Sequence, residues 1–202
     1  MNDDSSRSSL QTASPSNPSC EAPFDSSKTP HSDHLIDILV REPRWKTDFS
    51  LNYQVLIQEA LCAVLCEVFK NTDKTDTFFE LSVLLTDDSE IRSLNKEYRQ
   101  KDTPTNILSF ESGYILEGGK NKQVPEIIPL GDLVLSYETL KKEADSQQKT
   151  FQDHMTHLLI HGLLHLFGFD HENDKEAEEM EGLEITLLKK FFHIKNPYIE
   201  KG

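Results

Sequence analysis

The chain has 202 residues, 36% of them apolar, and a formal net charge of −14. That suits one domain with one real core, and it tells against a protein that holds nucleic acid through a broad basic face. No apolar run of about 18 residues marks a membrane span, and no charged-then-apolar leader marks a secretory signal. Of the three cysteines, Cys62 and Cys66 sit at helical spacing among apolar residues, which reads as buried thiols in a reducing compartment. A cytoplasmic protein is expected.

From Met1 to His34 the chain is rich in Ser, Pro, Asp and Asn, with too few apolar residues to offset the entropy of ordering. Residues 1–34 are read as a disordered tail and 35–202 as the domain. Leu35 to Val40 reads as a first strand. Val55, Ile57, Leu61, Val64, Leu65 and Val68 recur at helical spacing and predict a helix from Asn52 to Lys70. Phe79, Leu81, Val83 and Leu85 alternate with polar residues as a second strand. Asp87 to Glu90 looks like an acidic N-cap to a helix through Leu94 and Tyr98, which Thr103-Pro104-Thr105 prevents from continuing. Arg92, Lys96, Arg99 and Lys101 gather there as a local cationic stretch against the acidic background.

Ile107 to Phe110 and Leu130 to Ser136 read as two more strands, separated by a turn-rich excursion at Gly118-Gly119-Lys120-Asn121-Lys122. Asp132, inside the second of these, is either a buried carboxylate orienting a histidine or an edge residue. A helix follows from Tyr137 to Ala144. Thr150 with Asp153 caps a central helix that buries Met155, Leu158, Leu159, Leu163 and Phe167, and Asn173 with Glu176 caps the last one, to Phe192. The fold class is α+β: a small four-stranded mixed sheet packed by about five helices, with a histidine helix in the core.

The chemistry concentrates between His161 and His171. His161 and His165 are four apart and share a helix face, Gly168 is placed to end the helix with a left-handed residue, and the turn then brings His171 round. Three imidazoles with an open fourth position form the catalytic type of zinc site. The spacing H-x-x-x-H-x-x-G-x-x-H is that of the metzincin peptidases, but Gly162 stands where those enzymes carry their general base. His154 and His157 fall near the same face; His157 lies about 12 Å along the helix from His165 and is assigned behind the ligands rather than among them. Cys62 and Cys66 are too remote in sequence to join the metal. The same three imidazoles suit nickel or copper by affinity order.

The segment His157 to His171, followed by Glu176 to Glu181, resembles the signature of the YbeY family of bacterial endoribonucleases. Leu94 to Phe110, with Tyr98-Arg99-Gln100-Lys101-Asp102-Thr103-Pro104-Thr105-Asn106, and Leu130-Gly131-Asp132-Leu133-Val134-Leu135-Ser136 are similar to two further family blocks, in the same order. The likeness runs from about Leu35 to Phe192. The Ser- and Pro-rich stretch before Leu35 departs from the compact family chain.

That resemblance implies a zinc-dependent, single-strand-specific endoribonuclease that matures the 3′ end of 16S ribosomal RNA and serves ribosome quality control. Its partners would be the RNA substrate, small-subunit ribosomal proteins and an assembly GTPase, with no membrane. His161, His165 and His171 would hold one Zn2+, and His161 and Arg99 would be the catalytic residues. By resemblance Arg99 faces the metal cleft, where its five-donor fork suits a scissile phosphate. Direct attack by water and attack by the ribose 2′-OH both remain open, and Asp170 either orients a ligand imidazole or caps its loop. Two other classes stay in view: a metallopeptidase, and a metal-stabilised, non-catalytic ribosome assembly factor.

Overall fold

The computed structural model describes residues 34–47, 52–70, 77–114 and 126–198. The tail through residue 33 and the glycine-rich excursion at 118–122 lie outside them. His34, placed with the tail by composition, is buried, and its Nδ1 accepts a hydrogen bond from the backbone N–H of Phe79.

Four strands, β1 (Leu35–Val40), β2 (Phe78–Thr86), β3 (Ile107–Glu111) and β4 (Ile127–Ser136), form one mixed sheet in the order β1-β2-β4-β3. β1 and β4 both run parallel to β2, and β3 pairs antiparallel to β4. β4 starts three residues earlier than the apolar run Leu130 to Ser136 suggests. Its extension carries an extra residue: Pro129 faces Glu80 and Gly131 faces Leu81, so Leu130 bulges. Gly131 has φ of +130°, and a Cβ there would lie 2.0 Å from the Phe110 carbonyl oxygen. Only glycine fits.

Six helices are described: α1 (Arg44–Thr47), α2 (Tyr53–Val68), α3 (Asp88–Arg99), α4 (Tyr137–Ser146), α5 (Phe151–Leu166) and α6 (Asp174–Phe192). The short α1 is the one the apolar periodicity does not announce; it buries Trp45, whose Nε1 donates to the Thr86 carbonyl. The three expected N-caps form. Asp87, Thr150 and Asn173 each accept from the backbone N–H three residues on, at 2.8, 3.0 and 3.1 Å.

The larger core lies between the sheet and α2, α5 and α6, with Leu61, Leu65, Leu81, Leu133, Leu159 and Leu163 inaccessible to solvent. α3 covers part of the opposite sheet face through Ile91 and Leu94, on Leu108 and Val134. α5 touches α2, α4, α6, β3 and β4, so it is central, and its histidines project from a helix packed on several sides. No helix of the described residues is long and apolar enough to cross a membrane.

Candidate metal centre

α5 ends as its sequence demands. Phe167 is the C-cap and Gly168 takes φ of +83°; the Gly168 N–H donates to the His165 carbonyl and the Phe169 N–H to the Leu164 carbonyl, at 2.8 and 3.1 Å. These two bonds make a Schellman turn. It reverses the chain, sends His171 back over the helix end, and turns the Phe169 carbonyl toward His165, whose Nδ1 donates to it at 3.0 Å.

Each helix-borne imidazole is thus fixed by its own acceptor. His161 Nδ1 donates to Glu184 Oε1 at 2.8 Å, and Glu184 is a buried residue of α6. Since a carboxylate and a carbonyl only accept, both Nδ1 atoms carry protons, and in the neutral rings that a metal binds both Nε2 atoms present lone pairs. Those Nε2 atoms stand 3.2 Å apart. Two lone pairs so placed repel unless a cation lies between them. Metal–nitrogen bonds of about 2.0–2.1 Å in tetrahedral array separate ligand nitrogens by about 3.3 Å. The spacing fits, and one ligand nitrogen from each of His161, His165 and His171 lies within 4.8 Å of the others. Burial, with His161 and His171 alongside, keeps the His165 pKa below the usual imidazole value and favours the neutral form a metal requires. Among the described residues no fourth His, Cys, Asp or Glu joins the group.

Glu184 is the residue that sequence reasoning missed. Burial would raise its pKa, but hydrogen bonds from His157, His161 and Tyr198 outweigh burial and hold the carboxyl at about 2. His157 Nε2 shares the carboxylate, at 2.8 Å from Oε2, and so lies behind the three ligands as expected. A signal existed: Met180, Glu184, Leu187 and Leu188 are the buried residues of α6, and their spacing makes 184 a core position. An acid in an apolar stripe calls for partners.

Asp132 does not orient a histidine. It is exposed on β4, while its neighbours Leu133 and Val134 are buried, and the orienting acceptors are Glu184 and Phe169 instead. Asp170 Oδ1 accepts from the His171 backbone N–H at 2.8 Å and stands 4.0 Å from His165 Nδ1, so it caps its loop. Arg99 is the last residue of α3, held short by Gln100 in the left-handed conformation. It is not in the histidine cluster; its Nη2 donates to the Ser109 carbonyl on β3 at 3.1 Å. Ser109 in turn lies under Gly162, where a Cβ would come 3.1 Å from Ser109 Oγ. β3 therefore links Arg99 to the helix turn that carries His161. Of the other cations in that stretch, Arg92 and Lys96 both bind Asp102, at 2.8 and 2.9 Å.

Gly162 packs against the sheet. A Cβ there would meet Ile107 Cδ1 at 2.7 Å and Leu133 Cδ2 at 2.9 Å. The position points into the sheet, so a catalytic glutamate has no place in it.

An α+β fold that presents three convergent imidazoles at the end of its central helix has a site that could hold a metal ion. The chain belongs to the endoribonuclease YbeY family, whose model matches residues 42–192. It is 38% identical over 167 residues to the endoribonuclease YbeY of Bradyrhizobium diazoefficiens, covering 83% of this chain and 86% of that protein. With that of Colwellia psychrerythraea it shares 40% over 171 residues, 83% of this chain and 99% of the relative. Among solved structures, the solution structure of TM1509 from Thermotoga maritima has a TM-score of 0.48 and 26% identity over 79% of this chain and 90% of that one.

Proposed function

We propose that this protein is a zinc-dependent endoribonuclease that cuts single-stranded regions of ribosomal RNA, in the maturation of the 16S 3′ end and in ribosome quality control. The observation that carries the metal part is the convergence of the Nε2 atoms of His161 and His165, 3.2 Å apart. The RNA part rests on membership of a family described as endoribonucleases.

His161, His165 and His171 would hold a zinc ion, whose Lewis acidity would make water ionisable near neutral pH, so that no strong protein base is needed. His161 is held in one tautomer by Glu184, and its ring cannot turn away from the cleft. Arg99, exposed and spending one donor on Ser109, keeps further N–H groups for a scissile phosphate and the charge that grows on it. Among the described residues no fourth side-chain ligand joins the group, which favours catalysis over a purely structural metal. The acidic chain lacks a broad basic face, which fits delivery by ribosomal proteins or an assembly GTPase in the cytoplasm.

The test is cleavage of a labelled single-stranded RNA by wild type, His165→Ala and Arg99→Ala, with and without chelator. Cutting that tracks bound metal and fails in both variants supports the reading. Equal cutting by all samples, or none by any, overturns it.

A further inference from the structure

A cleft of about 730 Å³ opens beside His161, within the roughly 300–1,000 Å³ range of small-molecule sites. One wall is α5 from His154 to His161; Asn106, Glu143 and the turn at 146–149 face it, with Pro197 and Tyr198 at the rim. The seven steps of helix from His154 to His161 span about 10 Å, enough for a nucleoside beyond a phosphate held at His161.

Glu143 is the polar group the endonuclease chemistry leaves unused. Its Oε2 accepts twice, from His154 Nε2 at 2.8 Å and from Asn106 Nδ2 at 2.9 Å. His154 is only 2% exposed, so the carboxylate is clamped from behind. Oε1 has no partner among the described residues, and the side chain lines the cleft. Burial would raise the pKa of Glu143, yet the bonds from His154 and Asn106 hold it below the ordinary value. Lys149 spends two donors, on Gln147 Oε1 at 2.6 Å and the Pro197 carbonyl at 2.9 Å, and keeps a third at the cleft edge.

We propose that this cleft is the subsite for the nucleotide flanking the scissile phosphate, and that Glu143 selects there a base with an exocyclic amino group over uracil. The inference rests on the endoribonuclease reading and specifies its substrate. An ionised carboxylate only accepts, so it matches the amino group of cytosine, adenine or guanine. Uracil sets a carbonyl oxygen on each side of its single N–H, and those oxygens repel the carboxylate. One hydrogen bond to a charged group discriminates by roughly tenfold or more.

The experiment uses the full chain and two probes, CMP and UMP, neither of which an endonuclease can cut. Each is titrated while the Asn106 side-chain amide is followed by nitrogen-15 NMR. CMP should shift that amide and bind at least about tenfold more tightly than UMP. Glu143→Gln should bring the ratio to within about twofold, because an amide can turn either a donor or an acceptor toward the base. Equal affinities in wild type, or no shift at Asn106, overturn the proposal without relying on any variant's folding. A second arm measures cleavage of two RNAs that differ only by C or U beside the cut. Selective CMP binding with no cleavage of either RNA would sink the nuclease reading and leave the base subsite standing. Cleavage with equal CMP and UMP affinity would sink the subsite alone.

Discussion

Glu184 Oε1 stands 2.8 Å from His161 Nδ1, while the other oxygen of the same carboxylate stands 2.8 Å from His157 Nε2. One buried acid therefore fixes two imidazoles a helical turn apart, and Tyr198 donates a third bond to it. Replacing it with glutamine leaves one acceptor oxygen for three donors. Glu184→Gln should weaken zinc binding by about 10- to 100-fold and cost roughly 1–3 kcal/mol of stability. Competition titration against a zinc-binding dye measures the first and urea unfolding the second; wild-type affinity would remove Glu184 from the centre.

His165→Ala should lower metal content and melting temperature together, since the ligand is lost and zinc no longer ties the loop to the helix. Zinc stoichiometry in the purified variant decides the matter, and an unchanged value would refute the ligand assignment.

Arg99→Lys keeps a positive charge but loses the planar fork. Zinc should stay bound while RNA cleavage slows by about tenfold or more. Turnover at the wild-type rate would take Arg99 out of the reaction.

Gly162→Glu places a carboxylate against Ile107 and Leu133. Burying an unpaired charge there should cost several kcal/mol, and the variant should gain no activity on a peptide panel. Gly168→Ala meets open space but must hold φ near +83°, so it should cost about 1–2 kcal/mol through the backbone alone.

Burial raises the thiol pKa of Cys62 and of Cys66 above the ordinary 9.0. A raised folded-state value stabilises the fold below the unfolded pKa and is lost as pH rises through the folded one. Stability should therefore decline on the alkaline side of the ordinary thiol value, and both thiols should react slowly with an aromatic disulfide reagent until the chain unfolds. Rapid labelling of Cys62 or Cys66 at pH 8 in a native Cys20→Ser variant would contradict this.

The strands, the long helices and the triad were legible because each depends on a local period: alternation in β2, apolar spacing in α2, two histidines four apart, and a glycine where the helix must stop. Glu184 was not, because its meaning is set by packing α6 onto α5, between residues 23 apart from His161. Asp132 stayed open between two readings for a different reason. An acid inside an apolar strand looks buried until the sheet is assembled and its face is seen to be the open one. α1 escaped notice because four residues are too few to show a period.

The bond from α6 to His161 also sets an order of assembly. Translation delivers His161, His165 and His171 first and Glu184 afterwards, so a nascent chain owns its three ligands before it owns the acid that selects their tautomer. Until α6 has docked, the imidazoles can exchange protons and rotate, and any ion they catch is held loosely. A chain cut short within α6 would lose both Glu184 and the core leucines Leu187 and Leu188 that pack beneath the sheet.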